Sequence, residues 1–331
     1  MRFLAVLIAI AVIFPSSSHQ FWPGFYDSSC PGIASIVAQV SLRRFQQLTN
    51  HPAQVLRLFF HDCFVEGCDG SILIGQTPQS SVERDSVANR DLVQDAFDTI
   101  DLAKQAVEAQ CPGVVSCADI LAMVTRDMLI LASFQHASAG GPGWNLALGR
   151  RDGTVSRADS ALREIPSPRS GLDELLKNFH SKGLNLLDLV TLSGAHTLGV
   201  SHCSQFSQRL YGVNTSLDGT DPSLDPSFAK ELKKDCPPGA PVTAIEFFDK
   251  AAPFTFDNHY FKNLEAGRSL LTSDESLLAS FPSREIVRLF ARDPALFFFS
   301  FAASMDKLSR LGVKTGGAGE IRRSCNRFNA Q

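Results

Sequence analysis

The chain has 331 residues, of which 44% are hydrophobic and 20% charged, and its formal net charge is −3. This length and composition are typical of a globular protein with one large domain or two lobes around a shared core. The sequence contains no block of basic residues, which argues against a nucleic acid partner.

The N-terminus has the layout of a secretory signal. Arg2 precedes an apolar run from Phe3 to Phe14, and Pro15 and three serines follow it. This order matches the basic, apolar and cleavage regions of such signals, so we predict one over residues 1–19. The apolar run is too short to span a bilayer, and no other stretch is long and apolar enough to anchor the mature chain. Removal of the signal changes the net charge to −4.

The pattern of apolar residues predicts mostly helix. Segments 32–48 and 94–111 repeat apolar side chains with helical period, and 116–133 is apolar over the wide arc typical of a buried helix. Further helices are predicted over 172–180, 185–193, 227–235, 257–265 and 285–311. Strand signals are few and short, with one near Leu146–Leu148. Loops rich in turn residues are predicted at 139–143, 165–171, 212–226 and 236–243.

Eight cysteines lie between Cys30 and Cys325. An even number in a chain that enters an oxidising compartment indicates four disulfides, although the count alone allows 105 pairings. A zinc site beginning at Cys63 and Cys68 is the alternative, but no matching Cys/His pair follows at the usual spacing.

The segment "RLFFHDCFVEGCDGS" at 57–71 places a base and a cation together. Arg57 and His61 are four residues apart, so on a helix they project from one face. This pair suits a reaction that removes a proton and then stabilises the resulting anion. A solvated Arg/His pair on a helix surface is the alternative that the residues alone leave open.

Oxygen ligands follow directly in the same segment. Asp62, Asp69 and Ser71 are close in sequence, and Gly67 and Gly70 let the backbone turn and present its carbonyls. Hard oxygen ligands at this density suggest calcium, although the spacing is not that of an EF-hand. A disulfide between Cys63 and Cys68 would clamp this loop.

A second histidine occurs in "LVTLSGAHTLGVSHC", where an apolar helix leads to His196. Small residues before this histidine leave room for a large flat group beside it. A histidine simply buried in the core is the alternative.

Six motifs together resemble the secretory plant (class III) haem peroxidases. They are "FYDSSCP" at 25–31, "RLFFHDCFVEGCDGSIL" at 57–73, "VSCADILA" at 115–122, "LGRRDG" at 148–153, "LVTLSGAHTLG" at 189–199 and "FDNHYFKNL" at 256–264. The match runs from about Phe25 to Cys325, and the order, spacing and eight cysteines make it specific. The resemblance implies one all-α, two-lobed haem peroxidase domain over 20–331. Haem would lie between a distal lobe, about 20–165 plus the C-terminal segment, and a proximal lobe, about 166–310.

The resemblance also implies roles for individual residues. His61 would be the distal acid and base, Arg57 would stabilise the charge that develops on the peroxide, and Asn89 would orient His61. His196 would be the axial ligand of the haem iron, and Asp274 would be its carboxylate partner. Two further positions follow from the same motifs: Phe60 would wall the distal pocket, and Pro166 would border the donor site.

The family pattern further implies two calcium ions besides one haem b. The distal ion would use Asp62, Val65, Gly67, Asp69 and Ser71, with Glu83 acting through water. The proximal ion would use Thr197, Asp249, Ala252, Thr255 and Asp257. The implied disulfides are Cys30–Cys111, Cys63–Cys68, Cys117–Cys325 and Cys203–Cys236.

Some positions depart from the common pattern of the family. Ala252 stands where many members have threonine, so it could offer calcium only its carbonyl and the proximal site would be weaker. Val87 and Arg169 fall near the haem edge where other members carry aromatic residues, which would alter the donors that fit. His202 could approach a haem propionate, but a plain surface role is favoured.

We therefore predict a secreted, monomeric peroxidase in the extracellular space or cell wall, with no membrane partner after signal removal. It would reduce hydrogen peroxide while oxidising phenolic donors in one-electron steps, in cell-wall phenolic or lignin metabolism and the oxidative stress response. The single sequon predicts N-glycosylation at Asn214. Two other classes are a binding protein on this fold that has lost turnover, against which the intact site residues count, and a hydrolase. The hydrolase lacks a G-x-S-x-G element or a credible nucleophile.

Overall fold

The computed structural model describes residues 21–75, 81–133, 142–213 and 218–330. Its α-helices in these ranges are α1 (Ile33–Gln47), α2 (His51–Phe64), α3 (Gln94–Glu108), α4 (Cys117–Ala132), α5 (Ala158–Glu164), α6 (Leu172–Ser181), α7 (Leu186–Ser193), α8 (Cys203–Tyr211), α9 (Pro226–Asp235), α10 (His259–Glu265), α11 (Thr272–Glu275), α12 (Phe281–Arg292) and α13 (Pro294–Leu308). The predicted all-α fold is confirmed. Among the residues that the structure describes, no helix is both long and apolar enough to cross a membrane.

Helices α1 to α4 form one packed group that includes α2. Pro52 lies in the first turn of α2, where the N–H that it lacks would have no helical partner. The Ser116 side chain caps α4 by accepting a hydrogen bond from the Asp119 N–H at 3.1 Å. Helix α2 packs against α1, α3 and α4 and buries Leu58 and Phe59 among them. This packing fixes the orientation of the α2 face that carries the predicted distal residues.

A second group contains α7, α10, α12 and α13. The prediction of one helix over 285–311 was wrong, because α12 ends at Arg292 and α13 begins at Pro294. Asp293 separates the two helices in an extended conformation, and its carboxylate accepts a hydrogen bond from Leu296 N–H at 2.9 Å. A proline disfavours helical geometry in the residue before it, and here the preceding aspartate becomes the cap of the next helix.

The few strands are short and lie elsewhere than predicted. Residues near Leu146–Leu148 form only an isolated bridge, in which Leu148 pairs with Trp22. The two strands of the described residues are β1 (Val200–His202) and β2 (Ile245–Phe247), which pair antiparallel with Ser201 opposite Glu246. β1 directly follows the segment that contains His196, so this pairing helps to fix that segment.

The cysteines form the same four pairs that the family resemblance implied. They are Cys30–Cys111, Cys63–Cys68, Cys117–Cys325 and Cys203–Cys236. The C-terminal segment returns to the first half of the chain, where Cys68 N–H donates to the Leu311 carbonyl at 2.8 Å. The division into a distal and a proximal lobe stays a prediction. The predicted signal over 1–19 and the predicted glycosylation site Asn214 lie outside the described residues.

Candidate active site

Helix α2 presents the two predicted distal side chains four residues apart. His61 is buried, whereas Arg57 is exposed and its Nη1 donates to the Asp91 carbonyl at 3.2 Å. Phe60 is half-buried and its ring stacks on Phe64 with 4.4 Å between the centroids. A base and a permanent cation therefore share one face of α2, with an aromatic residue beside them.

Asn89 fixes which nitrogen of His61 is basic. The Asn89 Nδ2 donates to the Glu83 carbonyl at 2.7 Å, so its Oδ1 is the atom that faces His61 Nδ1 at 2.6 Å. Because an amide oxygen can only accept, Nδ1 of His61 carries the proton. The Nε2 atom of the neutral ring is then left with its lone pair, and no described residue hydrogen-bonds to it. His61 is thus arranged as a proton acceptor at Nε2.

The surroundings of His61 keep it neutral. Burial is the main cause, followed by the charge of Arg57, and together they lower the pKa of His61 to about 3. The hydrogen bond with Asn89 acts in the opposite direction because it favours the protonated ring. A neutral imidazole beside a guanidinium can accept a proton at ordinary pH.

The predicted proximal pair is also assembled. His196 lies in the short 3₁₀ helix Gly194–Thr197 after α7, and its Nδ1 donates to Asp274 Oδ1 at 2.8 Å. Asp274 is buried in α11 and receives a second hydrogen bond on the same Oδ1 from the Tyr260 hydroxyl, also at 2.8 Å. A Cβ atom added at Gly194 would lie 2.6 Å from the Phe297 ring, so only glycine fits this turn. The close approach of Phe297 therefore holds the histidine segment in place.

The Nε2 atom of His196 is free to act as a metal ligand. Its ring is parallel to that of Phe248, with 4.4 Å between the centroids, and its side chain is 36% exposed. Since Nδ1 is used by Asp274 and no described residue hydrogen-bonds to Nε2, the Nε2 atom is the nitrogen available to iron. A histidine held through its other nitrogen by a carboxylate is the arrangement that metal-ligating histidines prefer. The residues present therefore fit an axial ligand of haem.

The predicted distal calcium loop gathers buried oxygen atoms. Asp62, Asp69, Ser71 and Glu83 are all buried, and both carboxylate oxygens of Glu83 lack a hydrogen bond from any described residue. Asp62 accepts from Gly70 N–H at 3.0 Å and Ile72 N–H at 3.3 Å, and Lys314 Nζ lies 2.5 Å from Asp69 Oδ2. Buried carboxylate oxygens without partners are the observation that a hard cation would explain.

The electrostatics of this loop also fit a cation. Burial and then the charge of Asp69 raise the pKa of Asp62 to about 8. Burial and then the charge of Asp62 raise the pKa of Glu83 to about 9. Carboxylates that are desolvated together resist ionisation unless a positive charge joins them. The same Glu83 supplies the carbonyl that holds Asn89, so the loop supports the distal histidine directly.

The predicted proximal calcium residues form a second cluster. Thr197 Oγ1 donates to Asp257 Oδ1 at 2.8 Å, and Asp249 Oδ1 accepts from Ala251 N–H at 3.0 Å. The Ala252 carbonyl already accepts a hydrogen bond from Thr255 N–H at 3.1 Å. The buried Asp249 Oδ2 has no hydrogen bond from the described residues, so a cation is a fitting partner for it.

His259 joins this proximal cluster and was not predicted. Its Nδ1 lies 3.3 Å from Asp249 Oδ2 and 3.1 Å from Asp257 Oδ2. The three potential ligand atoms lie within 4.8 Å of one another. His259 stands inside the motif "FDNHYFKNL", so its position two residues after Asp257 was the available signal.

Two other site residues were also missed. Phe248 stacks on His196, and its contact depends on the tertiary packing of the loop after β2, for which the sequence gives no signal. Tyr260 is adjacent to His259 in the same motif, but only the structure reveals its bond to Asp274. Pro166 is half-buried, and its segment reaches the proximal pair because Ser273 N–H donates to the Pro168 carbonyl at 3.0 Å.

Comparison with known proteins identifies a family and several relatives. A family model described as "Peroxidase" matches residues 37–293. The chain is 42% identical to Peroxidase 55 of Arabidopsis thaliana over 99% of its own length and 96% of that protein. It is 43% identical to Peroxidase 16 of the same plant, over 98% of each chain. Peroxidase 45 of this plant is 42% identical over 99% of this chain and 96% of its own length.

These matches and the helical fold with its two histidine centres define the class of the protein. The chain belongs to the secretory plant (class III) haem peroxidases, the family indicated by its motifs. It is a peroxidase, an oxidoreductase that uses hydrogen peroxide, and haem is the cofactor that the family implies.

Proposed function

We propose that this peroxidase oxidises phenolic donors, with His61 and Arg57 acting on the peroxide and His196 binding the haem iron. The observation that carries the proposal is the orientation of both histidines through Nδ1, His61 by Asn89 at 2.6 Å and His196 by Asp274 at 2.8 Å. In each ring this leaves Nε2 available, in His61 to accept a proton and in His196 to bind the haem iron. The overall reaction consumes one hydrogen peroxide and two phenols, and it yields two waters and two phenoxyl radicals.

Haem, when bound, supplies the iron centre at which peroxide binds and through which electrons pass. The Nε2 of His61 accepts a proton from the oxygen of hydrogen peroxide that binds and returns it to the oxygen that leaves as water. The Arg57 guanidinium stabilises the negative charge that develops on the leaving oxygen. Each phenol then gives up one electron and its hydroxyl proton.

The proximal residues contribute through hydrogen bonding. The Asp274 carboxylate accepts from His196 Nδ1 and so increases the electron density on the nitrogen that would bind iron. The ring of Phe248 restricts rotation of this imidazole by stacking on it. These contacts support an electron-rich axial ligand, which favours cleavage of the peroxide bond.

Two calcium ions would complete the protein under this proposal. The buried loop around Asp62 and Glu83 supports the distal ion, and the cluster around Asp249 and Asp257 supports the proximal ion. The proximal ion binds more weakly, because Ala252 has no side-chain oxygen and its carbonyl already receives a hydrogen bond.

The biological setting follows from the sequence. A signal over 1–19, four disulfides and glycosylation at Asn214 suit secretion to the extracellular space or cell wall, where the enzyme acts as a monomer. Phenolic donors in that compartment place the activity in cell-wall phenolic or lignin metabolism and the response to oxidative stress.

The proposal is tested by variants of the distal pair in the haem-containing, calcium-loaded protein. We expect His61→Ala to slow peroxide reduction by about 10²-fold or more, and Arg57→Leu to cost about 10²-fold, in stopped-flow measurements. Before peroxide is added, the Soret band and the haem content of each variant should equal those of the wild type. Arg163→Gln, on exposed helix α5, is the matched control for loss of an arginine. Rates near the wild-type value in either distal variant would show that the site is misassigned.

A further inference from the structure

A series of contacts and short chain segments connects Arg169 to residues beside Arg57 and to the neighbour of Asp274. From the distal side, Arg57 donates to the Asp91 carbonyl at 3.2 Å, and the Asp91 carboxylate lies 3.9 Å from His202 Nε2. Two residues after His202, the Ser204 carbonyl accepts a hydrogen bond from Arg169 Nη2 at 3.0 Å. These contacts place Arg169 beside the 202–204 segment, which approaches Arg57 through Asp91.

The same residue is tied to the proximal side. Pro168, the neighbour of Arg169, accepts a hydrogen bond through its carbonyl from Ser273 N–H at 3.0 Å. Ser273 is adjacent to Asp274, the partner of His196. Arg169 therefore lies between the 202–204 segment, which approaches Asp91, and the segment that carries Asp274, three residues from the half-buried Pro166.

The guanidinium of Arg169 is available for an anion. The side chain is exposed, and its Nη2 donates to a neutral backbone carbonyl, that of Ser204. No carboxylate of the described residues forms an ion pair with it, in contrast to Arg163, whose Nη1 lies 2.8 Å from Asp159 Oδ2. Most of the five N–H donors of an arginine are thus left to a ligand, and their planar arrangement matches a carboxylate.

We propose that Arg169 binds the carboxylate of an anionic phenolic donor and makes phenolic acids better donors than their uncharged esters. This inference rests on the proposed oxidation of phenols at the same site. The phenol ring lies against the apolar surface of Pro166, and its hydroxyl, at the far end from the carboxylate, faces the reaction centre. The donor loses one electron and its hydroxyl proton, as any phenol does in this reaction, and the carboxylate remains unchanged.

The test compares 4-hydroxycinnamate with its methyl ester as donors of the holoenzyme. In Arg169→Gln we expect kcat/KM for the acid to fall five- to tenfold at low ionic strength, mainly through KM, because one charge-assisted contact is lost. The ester should change by less than twofold. Arg169→Lys should restore part of the preference, since it keeps the charge but not the planar fork. Added salt should narrow the difference between acid and ester in the wild type.

Two controls separate the possible results. Arg163→Gln removes an exposed arginine that is already paired and should leave both donors unaffected. Donor binding to the resting enzyme, followed by the shift of the Soret band, should weaken in Arg169→Gln for the acid alone. Equal losses for the acid and the ester would overturn the proposal. Loss of haem from Arg169→Gln would also overturn it, because it would mean that Arg169 pairs with a haem propionate. A wild-type protein that turns over neither donor would instead contradict the proposed phenol oxidation.

Discussion

At the scale of single residues, the site depends on which atoms of each histidine are already used. The resemblance alone predicted roles for His61, Asn89, His196 and Asp274, and the structure pairs His61 with Asn89 and His196 with Asp274. Only the structure shows the direction of each hydrogen bond, because the orientation of the Asn89 amide is set by the Glu83 carbonyl. Tyr260 adds a second donor to Asp274 Oδ1, so two groups share one carboxylate oxygen. Burial and the charge of Asp274 hold the pKa of Tyr260 well above its usual value, so it remains a donor.

Removal of the Tyr260 hydroxyl should change the electronics of the axial ligand. In Tyr260→Phe, Asp274 Oδ1 keeps only His196 as a side-chain donor and accepts more strongly from it. The imidazole then donates more electron density and favours ferric over ferrous iron. We expect about a tenfold shift of that equilibrium, a fall of about 59 mV in reduction potential. Spectroelectrochemical titration of the holoenzyme measures it.

A matched tyrosine variant controls for the loss of a hydroxyl. Tyr211 donates to the Lys233 and Cys236 carbonyls at 3.3 and 3.0 Å, and it belongs to the smaller cluster formed by α8 and α9. Tyr211→Phe should leave the potential unchanged. A potential that stays constant or rises in Tyr260→Phe would show that the hydroxyl does not compete for Asp274.

At the scale of elements, helices were predictable where apolar periodicity is strong, whereas the conformation of the loops between them was not. Helices α1, α3 and α4 fall within two or three residues of their predicted bounds, because each buries one continuous apolar face. The break at Asp293 was missed because apolar residues continue on both sides of it. The loops take their shape from distant backbone. Gly67, at φ +100°, packs against Gly312, and a Cβ there would lie 2.6 Å from Gly312 Cα.

The loop between β2 and α10 supports a prediction about calcium. We expect Ala252→Thr to add a hydroxyl ligand and to raise the affinity of the proximal site, because calcium affinity follows ligand number. Mild chelation of the wild type should remove one ion first and perturb the Soret band, since Thr197 is adjacent to His196. The variant should need a higher chelator concentration. Because stability grows with the ratio of free calcium to the dissociation constant, the unfolding temperature of the variant should begin to rise at a lower calcium concentration than that of the wild type.

Calcium titrations of thermal stability and of the Soret band measure this effect. Ala251→Thr, which adds the same hydroxyl at an exposed neighbouring position, is the control and should behave as the wild type. Identical curves for all three proteins would indicate that another group, such as His259, already occupies the position.

At the scale of the whole molecule, the C-terminal segment closes the fold onto the loop proposed to bind the distal calcium. Arg322 is completely buried, and its Nη2 donates to the carbonyls of Asp69 at 3.1 Å and Gly70 at 2.9 Å. Asp152 connects this segment to the start of α4, because its carboxylate accepts from the N–H groups of Arg322 and Cys117 at 2.8 and 3.1 Å. The cysteine count predicted four bridges, but this network of long-range polar contacts has no local signal in the sequence. Arg322 is at least 170 residues from each of Asp69, Gly70 and Asp152.

The disulfide Cys117–Cys325 should therefore stabilise both the fold and the distal calcium site. It joins residues 208 apart, so its removal in Cys117→Ala/Cys325→Ala costs about 5 kcal/mol in the chain-entropy model. Cys30–Cys111 spans 81 residues and gives about 4.5 kcal/mol in the same model, which makes it a matched control. Only the first pair is close in sequence to Arg322.

We expect both double-cysteine variants to unfold at lower temperature than the wild type. Only the variant without Cys117–Cys325 should bind the distal calcium more weakly, by at least fivefold. Calcium content after dialysis and calorimetric unfolding measure the two effects. If the double variant fails to fold, Arg322→Lys provides a second test. This variant keeps the disulfide but removes the guanidinium that donates to the Asp69 and Gly70 carbonyls, so it should also weaken calcium binding. Equal calcium retention in all of these variants would mean that the distal loop keeps its shape without the C-terminal segment.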